Sequence, residues 1–543
     1  MSIFEIINKG LSQDSEAIIF DAPEATLKFG RTTFSENVHL AAAVTVKKRT
    51  TISTLLKLAN EHHFALYPIS TGNNWGYGSI AESKDKPRVI IDLSQLKGIY
   101  PASKELGLIT VEPGVTQQDL FDYLAQNDWP YMTPVTGAGP NCSILSNALE
   151  RGYGITPHAM HFDAVTAMKV YLPHPDLCHE EMSSAISELD KSGSDFIDKT
   201  FKHGLGPAVD GLFTQSNLGI VTECTIRLAK RRSFSSFYLR CFDKQGLPKL
   251  VNFIHQVLQE FEGVVGSINL MDKNRVISMT ADNPNPADIH RVMTSEQVSK
   301  IEKEHGTPEW MIIGTIYGNK RVVDASEKEI KKMARGTGSI IFSSSPLLSL
   351  ANQLTKAPFL KSLSVVKKVK GQLDALEEGQ ELMLGKPNQL ALKLAYWRNA
   401  YCTPDKTKSL LPDKDKCGLL WYAPLIPMCA DKIDEYVAMI RDITPKYGVE
   451  PLITFTNLRH DCIDSTVPIL FNLEDPEAVD QSKACLEELV SVGRQKGFVP
   501  YRLNIEQQAS LLDKNAIYWQ AVDNIKSSLD PNRIISPGRY NPR

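Results

Sequence analysis

A glycine-rich stretch that follows an apolar segment is the part of the sequence most suited to binding a charged ligand. Residues 68–79 read Pro-Ile-Ser-Thr-Gly-Asn-Asn-Trp-Gly-Tyr-Gly-Ser. Glycine allows positive φ angles and close approach of the backbone, so several N–H groups can point at one phosphate. The spacing matches neither the G-x-G-x-x-G of a Rossmann turn nor the ending of a P-loop. Taken alone, the pattern favours an ordinary glycine-rich loop.

Two further loops rich in Gly, Ser and Asn strengthen the ligand-binding interpretation. The second covers residues 133–154 and the third covers 211–221, and each leads towards a predicted strand. Turns between strands do not need three loops of this kind. An extended ligand with a pyrophosphate and a polar ring system would use all three.

Strands and single helices must position these loops. The predicted strands are 44–47, 64–69, 89–93, 106–111, 165–172 and 220–228, and the predicted helices are 52–62, 117–126, 476–496 and 516–529. Thr116 with Asp119 three residues later is the pattern of a helix N-cap. Asp475-Pro476 and Gly497 mark the start and stop of the third helix. On the last helix, Ile517, Ala521, Ile525 and Leu529 share one face, which predicts burial. Residues 1–43 show no regular pattern. This mixture predicts an α+β fold rather than a doubly wound parallel sheet.

Length and composition exclude several classes of protein. At 543 residues the chain is expected to form two or three domains. A net charge of −3 gives no reason to expect a nucleic-acid partner. No apolar run approaches the ~18 residues of a spanning helix. The nine cysteines form no Cys-x-x-Cys pair, so we expect free thiols, and no metal-ligand spacing is visible. The N-terminus lacks a secretory pattern, so we expect a cytoplasmic protein, with export to the periplasm as the alternative.

Separated motifs in one order resemble the flavin domain of the vanillyl-alcohol oxidase and p-cresol methylhydroxylase family. They cover residues 72–78, 111–115, 150–157, 210–222 and 530–538. The resemblance runs from about Ala43 to Gly538 and implies FAD. It also implies an α+β fold with a two-lobed FAD-binding domain of the p-cresol methylhydroxylase type and a central α+β cap domain for the substrate. The implied boundaries are 1–228 for the FAD-binding domain, with its core from about 43, 229–498 for the cap, and 499–543 for a C-terminal return to the FAD domain.

The resemblance assigns FAD contacts to the three loops, the strand ends beside them and the C-terminal motif. These residues are Ser70, Thr71, Gly72, Asn73, Asn74, Trp75, Gly76, Gly78, Ser79, Pro113, Gly114, Gly137, Gly139, Ser143, Asn147, Glu150, Arg151, Gly152, Gly154, His161, Gly219, Ile220, Val221 and Arg539.

A tyrosine–arginine pair, Tyr501 and Arg502, is implied to bind the phenolate oxygen of a substrate together with Tyr77. A free phenol is neutral at pH 7, because its pKa is about 10. A guanidinium and two tyrosine hydroxyls stabilise the anion and so make a benzylic hydride easier to remove. Without the family context, Tyr501 and Arg502 would be read as an ordinary pair at the start of a strand after the helix, with the arginine in a surface ion pair.

The position of a covalent flavin link departs from the vanillyl-alcohol oxidase pattern. Family members of that type carry a histidine where this chain has Leu419, so the resemblance excludes a histidyl link at this position. Relatives of the p-cresol methylhydroxylase type use a tyrosine from the preceding strand region, for which Tyr396 is the first candidate and Tyr401 the second. Two alternatives stay open: Tyr396 is a core aromatic beside Trp397, or FAD is bound without a covalent link.

The residue that moves protons also departs from the family pattern. Vanillyl-alcohol oxidase has an aspartate ahead of the second loop, whereas residues 134–143 contain no carboxylate and Ala138 lies near that position. The resemblance moves the role of base to His460, Asp461 or Asp464. The competing explanation is a charged surface loop.

These features together predict an FAD-dependent oxidoreductase that removes a benzylic hydride from a para-substituted phenol. The quinone methide so formed is captured by water, as in a 4-cresol or eugenol-type methylhydroxylase. A cytochrome c-type acceptor and a homo-oligomer are the implied partners. The alternatives are an oxygen-using aryl-alcohol oxidase and a flavin-binding protein without turnover.

Overall fold

The chain divides into two compact units. The computed structural model describes residues 1–35, 38–81, 85–184, 187, 197–285, 291–344, 376–404 and 408–541. The first unit contains residues 1–154, 160–230 and 503–543, and the second contains residues 155–159 and 231–502. The first unit is therefore discontinuous in sequence, because the chain leaves it after Lys230 and returns at Leu503.

A small sheet opens the first unit. Its strands are β1 (Ile18–Phe20), β2 (Ala42–Thr45), β3 (Ala65–Ile69) and β4 (Arg88–Asp92), in the order β1-β2-β4-β3. Strands β2 and β3 run parallel to β4, and β1 is antiparallel to β2. The helix Thr50–His62 connects β2 to β3. Its predicted apolar face is confirmed, since Ile52, Leu55, Leu56 and Ala59 are fully buried in the core.

The N-terminal segment contains regular structure, although the sequence of residues 1–43 shows no regular pattern. It contains the helices Ile3–Gly10 and Ala22–Phe29 besides β1. Ser2 and Glu5 form a capping box, in which Ser2 Oγ accepts from Glu5 N at 3.2 Å and Glu5 Oε2 accepts from Ser2 N at 2.7 Å. Both helices have eight residues, which is too short to build a repeating apolar pattern.

The second sheet of the first unit is antiparallel. The remaining strands of the unit are β5 (Ile99–Ser103), β6 (Leu108–Val111), β7 (Tyr131–Met132), β8 (Val165–Tyr171), β9 (Glu181–Met182), β10 (Ile220–Arg227) and β11 (Ala229–Lys230). The sheet has the order β5-β6-β10-β8-β9, and β7 pairs with β11. The predicted cap of the helix Gln117–Gln126 is confirmed, because Thr116 Oγ1 accepts from Asp119 N at 3.1 Å. Shorter helices are Ile144–Leu149, His161–Ala164, Asp210–Phe213 and Gln508–Leu511.

The second unit contains one large β-sheet and several helices. Its strands are β12 (Ser233–Cys241), β13 (Val265–Asp272), β14 (Trp310–Gly318), β15 (Ser339–Phe342), β16 (Cys417–Tyr422), β17 (Leu425–Pro427), β18 (Thr454–Asn457) and β19 (Cys462–Asn472). The order in the described part is β15-β12-β14-β13-β18-β19-β16, with β17 also paired to β19. The helices are Leu247–Glu260, Lys273–Thr280, Ser295–His305, Lys320–Met333, Lys393–Tyr396, Ala400–Cys402, Ala430–Ile443, Thr444–Tyr447 and Pro476–Lys496.

The long helix Pro476–Lys496 begins and ends as predicted. Asp475 Oδ1 accepts from Glu477 N at 3.0 Å, and Gly497 ends the helix at φ +86°. The burial predicted for the apolar face of the helix Ile517–Leu529 is wrong at Ile517, which is 86% exposed. Asp523 and Lys526 are buried on that helix instead, and Lys526 is held by an ion pair to Asp530.

Helices and sheets are mixed in both units, which confirms the predicted α+β class. No helix in the described ranges combines the length and the apolar character needed to cross a membrane. All nine cysteines are free thiols, as expected.

Candidate functional site

The first glycine-rich loop follows β3 directly and is built around left-handed glycines. Gly72, Gly76 and Gly78 have φ angles of +77°, +80° and +75°, which side chains with a Cβ rarely adopt. The backbone of Gly76 is fixed on both sides. Its N–H donates to Thr33 Oγ1 at 2.8 Å, and its carbonyl oxygen accepts from Asn504 Nδ2 at 3.0 Å. The loop is therefore held in shape by residues far away in sequence.

Hydrogen bonds join the first loop to the second. Asn73 Nδ2 donates to the carbonyl oxygen of Asn141 at 3.0 Å. Ser146 Oγ donates to Ser70 Oγ at 2.7 Å. The first loop is therefore joined to the second at Ser70 and at Asn73.

The second loop is joined in the same way to the third. Arg151 Nε donates to Thr214 Oγ1 at 3.0 Å, and Gln215 N donates to the carbonyl oxygen of Leu149 at 2.9 Å. The three loops identified in the sequence therefore converge within the first unit, which is the arrangement that an extended ligand requires.

The second loop packs too closely for side chains at two of its glycines. A Cβ on Gly154 would lie 2.3 Å from the carbonyl oxygen of Val135 and 2.4 Å from His161 Nε2. A Cβ on Gly152 would lie 2.2 Å from Asn147 Oδ1. Asn147 Nδ2 and His161 Nδ1 are 2.7 Å apart, so these two side chains are themselves hydrogen-bonded.

The C-terminal motif is anchored to the same unit through a buried ion pair. Lys526 Nζ lies 2.5 Å from Asp530 Oδ2 and also donates to the carbonyl oxygens of Asn217 and Ile535. Burial lowers the pKa of Lys526 to about 8, although Asp530 opposes that shift. The chain then pairs with β3, where Leu66 N donates to Ile534 O at 2.7 Å.

Arg539 joins this motif to the first two loops. Its guanidinium donates to the Glu150 carboxylate and lies 3.5 Å from the carbonyl oxygen of Ser79. Burial lowers the pKa of Arg539. Arg539 and Glu150 were both predicted to bind the cofactor, and they are direct partners.

The other predicted cofactor residues lie in these loops or at the strand ends beside them. Ser143 Oγ donates to Pro113 O at 2.6 Å, and Gly139 has φ +83°. Ile220 and Val221 begin β10 and are buried. Gly114 and Gly219 approach neighbouring atoms so closely that a Cβ would lie 2.3 Å from Ser94 O and 2.8 Å from Val170 Cγ1. Ala138, near the position of the family's aspartate, donates its N–H to Thr136 Oγ1 at 3.2 Å.

A buried carboxyl group is the most unusual titratable feature of the second unit. Asp464 lies in β19 between β17 and β18 and is 5% exposed. Neither of its carboxyl oxygens has a hydrogen-bond partner among the described residues. Burial therefore raises the pKa of Asp464 well above its usual value. Such a group is expected at sites that move or hold protons.

The other two candidates for proton transfer, His460 and Asp461, lie just before Asp464 and differ in their surroundings. Asp461 is exposed and its carboxylate is clamped by Arg459 at 2.6 and 2.9 Å, which lowers the pKa of Asp461. His460 is half-buried. Its carbonyl oxygen lies 2.7 Å from His255 Nδ1, and the two imidazole rings meet edge to face at 5.8 Å. His255, on the helix Leu247–Glu260, carried no sequence signal.

Tyr396 ends a short helix, Lys393–Tyr396, whereas a strand region was expected. Its hydroxyl donates to Asp415 Oδ2 at 2.5 Å, and Leu411 N donates to the same oxygen at 3.1 Å. Burial, with the Asp415 carboxylate, raises the pKa of Tyr396. Tyr401 is 55% exposed, and Leu419 is buried in β16. Tyr396 therefore packs as a core aromatic with a satisfied hydroxyl.

Tyr501 and Arg502 do not begin a strand, contrary to expectation. Pro500 forms a single bridge to Pro424, and Tyr501 N donates to the carbonyl oxygen of Ala423 at 3.2 Å. Proline has no N–H to extend a ladder, so the pairing stops there. Three residues after Arg502, Ile505 N donates to the carbonyl oxygen of Tyr77 at 2.7 Å in the first unit. The pair thus lies where the chain passes from the second unit to the first.

Comparisons with known proteins agree with this architecture. The family model of the FAD binding domain matches residues 40–179. The chain is 28% identical over 514 residues to a 1'-carboxy-chondrochloren decarboxylase of Chondromyces crocatus, covering 94% of this chain and 92% of that protein. It is 25% identical over 509 residues to the flavoprotein subunit of 4-cresol dehydrogenase (hydroxylating) of Pseudomonas putida, covering 92% and 87%. The structure of p-cresol methylhydroxylase with substrate bound matches with a TM-score of 0.81 at 23% identity, covering 99% and 96%.

The first unit fits FAD, because its three glycine-rich loops converge and Gly72, Gly76 and Gly78 hold the first loop at positive φ. Fold and domain together define an FAD-dependent oxidoreductase with the p-cresol methylhydroxylase architecture. Over nearly its whole length the chain is similar to a 4-cresol dehydrogenase flavoprotein subunit, and its fold is that of p-cresol methylhydroxylase. Within the described residues, no group of three or more His, Cys, Asp and Glu is arranged to hold a metal ion.

Proposed function

We propose that this chain removes a hydride from the benzylic carbon of a para-substituted phenol, and that water adds to the resulting quinone methide. The substrate class is that of 4-cresol and eugenol. The product is a benzylic alcohol or, after a second round, an aldehyde. Bound FAD supplies the hydride acceptor, held by the three loops and Arg539, while the protein supplies orientation and charge.

Tyr77, Tyr501 and Arg502 bind the phenolate oxygen in this proposal. The observation that carries it is the hydrogen bond from Ile505 N to Tyr77 O. Arg502 lies three positions before Ile505 in the chain, so its backbone lies within about 11 Å of the backbone of Ile505. The guanidinium of Arg502 and the two tyrosine hydroxyls donate to the phenolate oxygen. Their hydrogen bonds to the oxygen lower the pKa of the bound phenol and favour the anion that loses hydride.

Asp464 and His460 act on the side chain of the substrate. Burial favours the protonated form of Asp464, in which the hydroxyl donates and the carbonyl oxygen accepts hydrogen bonds. A water that donates to Asp464 is oriented towards the quinone methide carbon, and the imidazole of His460 takes up the proton that this water loses.

Anaerobic addition of 4-alkylphenols to the purified flavoprotein tests this function. Bleaching of the flavin absorbance with 4-cresol or 4-ethylphenol, but not with the matching 4-alkylanisoles, is the expected result. An unchanged spectrum across a broad phenol panel would leave a flavin-binding protein without turnover. Turnover in air, with and without cytochrome c, separates a dehydrogenase from an oxygen-using oxidase, and we propose the dehydrogenase.

A second candidate is oxidative decarboxylation, favoured by the 28% identity to a decarboxylase over most of both chains. Removal of a benzylic hydride leaves a quinone methide. If the next carbon bears a carboxylate, the C–CO₂ bond can break, and its electron pair forms a C=C bond and restores the phenol. This step needs no base, and residues 134–143 contain no carboxylate.

One substrate separates the two candidates. With 3-(4-hydroxyphenyl)propanoate, decarboxylation gives 4-vinylphenol and CO₂, whereas capture by water gives a 3-hydroxy acid with the same carbon count. Chromatography with mass detection distinguishes these products in one reaction.

A further inference from the structure

A buried lysine near the end of the helix Ile517–Leu529 has no part in the proposed reaction. Lys526 is 1% exposed, and an ammonium group has three N–H donors. Its Nζ lies 2.5 Å from Asp530 Oδ2 and 2.9 Å from the carbonyl oxygen of Ile535. It also donates to the carbonyl oxygen of Asn217. Each N–H of the ammonium therefore has its own acceptor.

These acceptors lie in separate parts of the first unit. Asn217 belongs to the third loop, and its side chain also donates to the carbonyl oxygen of Ser536 at 3.2 Å. Ile535 lies between the two residues that pair with Leu66 of β3, and β3 leads directly into the first loop. The ammonium thus joins the third loop to the segment that pairs with the strand before the first loop.

We propose that Lys526 is a positioning residue for the cofactor, whose ammonium fixes the third loop relative to the first and so sets the affinity for FAD. Gly219, Ile220 and Val221, to which the resemblance assigns FAD contacts, follow Asn217 by two to four positions. A displacement of Asn217 is therefore passed on to them. The inference rests on the assignment of FAD to this unit and makes no use of the phenol.

The three acceptors require the protonated form of Lys526. Asp530 is fixed on its other side, since Oδ1 accepts from Ile534 N and Oδ2 from Ile535 N, both at 2.9 Å. A neutral amine has only two N–H groups. The carboxylate is the strongest of the three acceptors, so two carbonyl oxygens, that of Asn217 among them, then share one donor. Loss of the proton is therefore expected to loosen the third loop.

The charged groups around Lys526 set the pH at which this proton is lost. Burial lowers the pKa of Lys526 to about 8, against the effect of Asp530, and Arg533 and Lys86 lower it further. Arg533 is itself paired with Asp523 at 2.8 Å. We expect the Kd for FAD to rise as the pH passes 8. A lysine with a lowered folded pKa contributes more stability as the pH rises from that pKa to its unfolded value of about 10.4, so unfolding caused by this group would not explain the loss of FAD.

Release of FAD tests the inference. All chains carry Tyr396→Phe, so that a tyrosyl link cannot retain the cofactor. The holoproteins are diluted at pH values between 7 and 9, and the fluorescence of released FAD gives Kd. The parent should show a rise in Kd with a midpoint near pH 8. Lys526→Met combined with Asp530→Asn, which leaves no buried charge unpaired, should bind FAD about 10- to 150-fold more weakly at pH 7 and show no such rise.

Two further variants serve as controls. Lys86→Met removes a neighbouring lysine that donates to the carbonyl oxygens of Asn532 and Arg533, and the rise in Kd near pH 8 should remain. Asn217→Ala removes only the side-chain bond to Ser536, so it should weaken FAD binding and keep the rise. A double variant with a lower Tm but the parent's FAD affinity, or one that keeps the rise, would overturn the inference. So would unchanged FAD affinity in Asn217→Ala or loss of the rise in Lys86→Met. None of these measurements uses a phenol, so such results would leave the proposed oxidation unaffected.

Discussion

The backbone N–H of Ile505 donates a 2.7 Å hydrogen bond to the carbonyl oxygen of Tyr77. Asn504, the preceding residue, donates to the carbonyl oxygen of Gly76 at 3.0 Å. Two consecutive residues of the returning chain therefore hold two consecutive residues of the glycine-rich loop. The tyrosine of that loop and the Tyr501–Arg502 pair are thereby linked through a few fixed peptide groups, which makes their cooperation testable.

Arg502→Gln is expected to slow reduction of the flavin by 4-alkylphenols about 10- to 150-fold. A hydrogen bond to a charged group contributes about 1.5–3 kcal/mol, and glutamine keeps the polarity but loses the charge. Anaerobic stopped-flow absorbance measures the rate. Arg494→Gln, an exposed arginine near the end of the helix Pro476–Lys496, is the matched control and should react like the parent. Equal rates in both variants would remove Arg502 from the site.

Tyr77→Phe is expected to lower kcat for phenols and to move the rising limb of the pH profile of kcat, which reports the bound complex, to higher pH. The bound phenol loses one donor to its anion, so its pKa falls less on binding. The pH dependence of steady-state turnover measures the shift. Tyr518→Phe, a change at a 69% exposed tyrosine, provides the control. A lower rate without any shift of the profile would indicate packing rather than phenolate binding.

Gly154→Ala is expected to reduce the FAD content of the purified protein and to lower its Tm. The added Cβ overlaps the carbonyl oxygen of Val135 and the ring of His161, and such overpacking costs about 1–3 kcal/mol. Gly211→Ala is the matched control, because a Cβ there meets no atom within 4 Å. The absorbance of flavin relative to protein reports occupancy. Full occupancy in Gly154→Ala would contradict the close packing described for the second loop.

Asp464→Asn is expected to be more stable than the parent at pH 8 and equally stable near pH 4. The folded carboxyl has a raised pKa, so between its unfolded pKa of about 4 and its folded value the unfolded state ionises more readily. The parent therefore loses stability as pH rises through that window, and asparagine does not. Urea unfolding at several pH values measures the difference.

Asp461→Asn is a control in which the effect of the substitution on stability is expected to have the opposite sign above the unfolded pKa. Arg459 lowers the pKa of Asp461, so the carboxylate contributes stability above its unfolded pKa that the variant lacks. If the free energy of unfolding changed with pH in the same way in both variants, the raised pKa of Asp464 would be refuted.

Tyr396→Phe is expected to cost about 1–3 kcal/mol of stability, since the buried hydrogen bond to Asp415 is lost and one carboxylate oxygen keeps only Leu411 N. Acid precipitation tests its role towards FAD. A tyrosyl link predicts yellow colour in the pellet of the parent and in the supernatant of Tyr396→Phe. Colour in the supernatant of both would assign Tyr396 to the core alone.

Local signals predicted much of the fold, and contacts between distant residues account for what was missed. The helices Gln117–Gln126 and Pro476–Lys496 were predicted to the residue because their caps are adjacent in sequence. Thr33 and Asn504 hold Gly76 across 43 and 428 residues, and no local pattern records such a partner. The three glycine-rich loops were recognisable because glycine, serine and asparagine cluster in each of them.

The same contrast between local signals and contacts of distant residues applies to the candidate catalytic residues. The position of Asp464 followed from family resemblance, but its missing hydrogen-bond partners follow from three strands packing around it. The strand expected at Tyr501 failed because Pro500 ends the pairing after one bridge. His255 could not be found, since its contact with His460 spans 205 residues.

The pairing of Leu66 with Ile534 and Ser536 has a consequence for synthesis on the ribosome. Strand β3 is the edge of its sheet, and residues 503–543, which complete the unit, are translated after the second unit. Every residue of the second unit has been made before that segment emerges, so the second unit can fold during translation. The first unit is completed only when residues 503–543 have been made, because the partners of Leu66 lie in that segment.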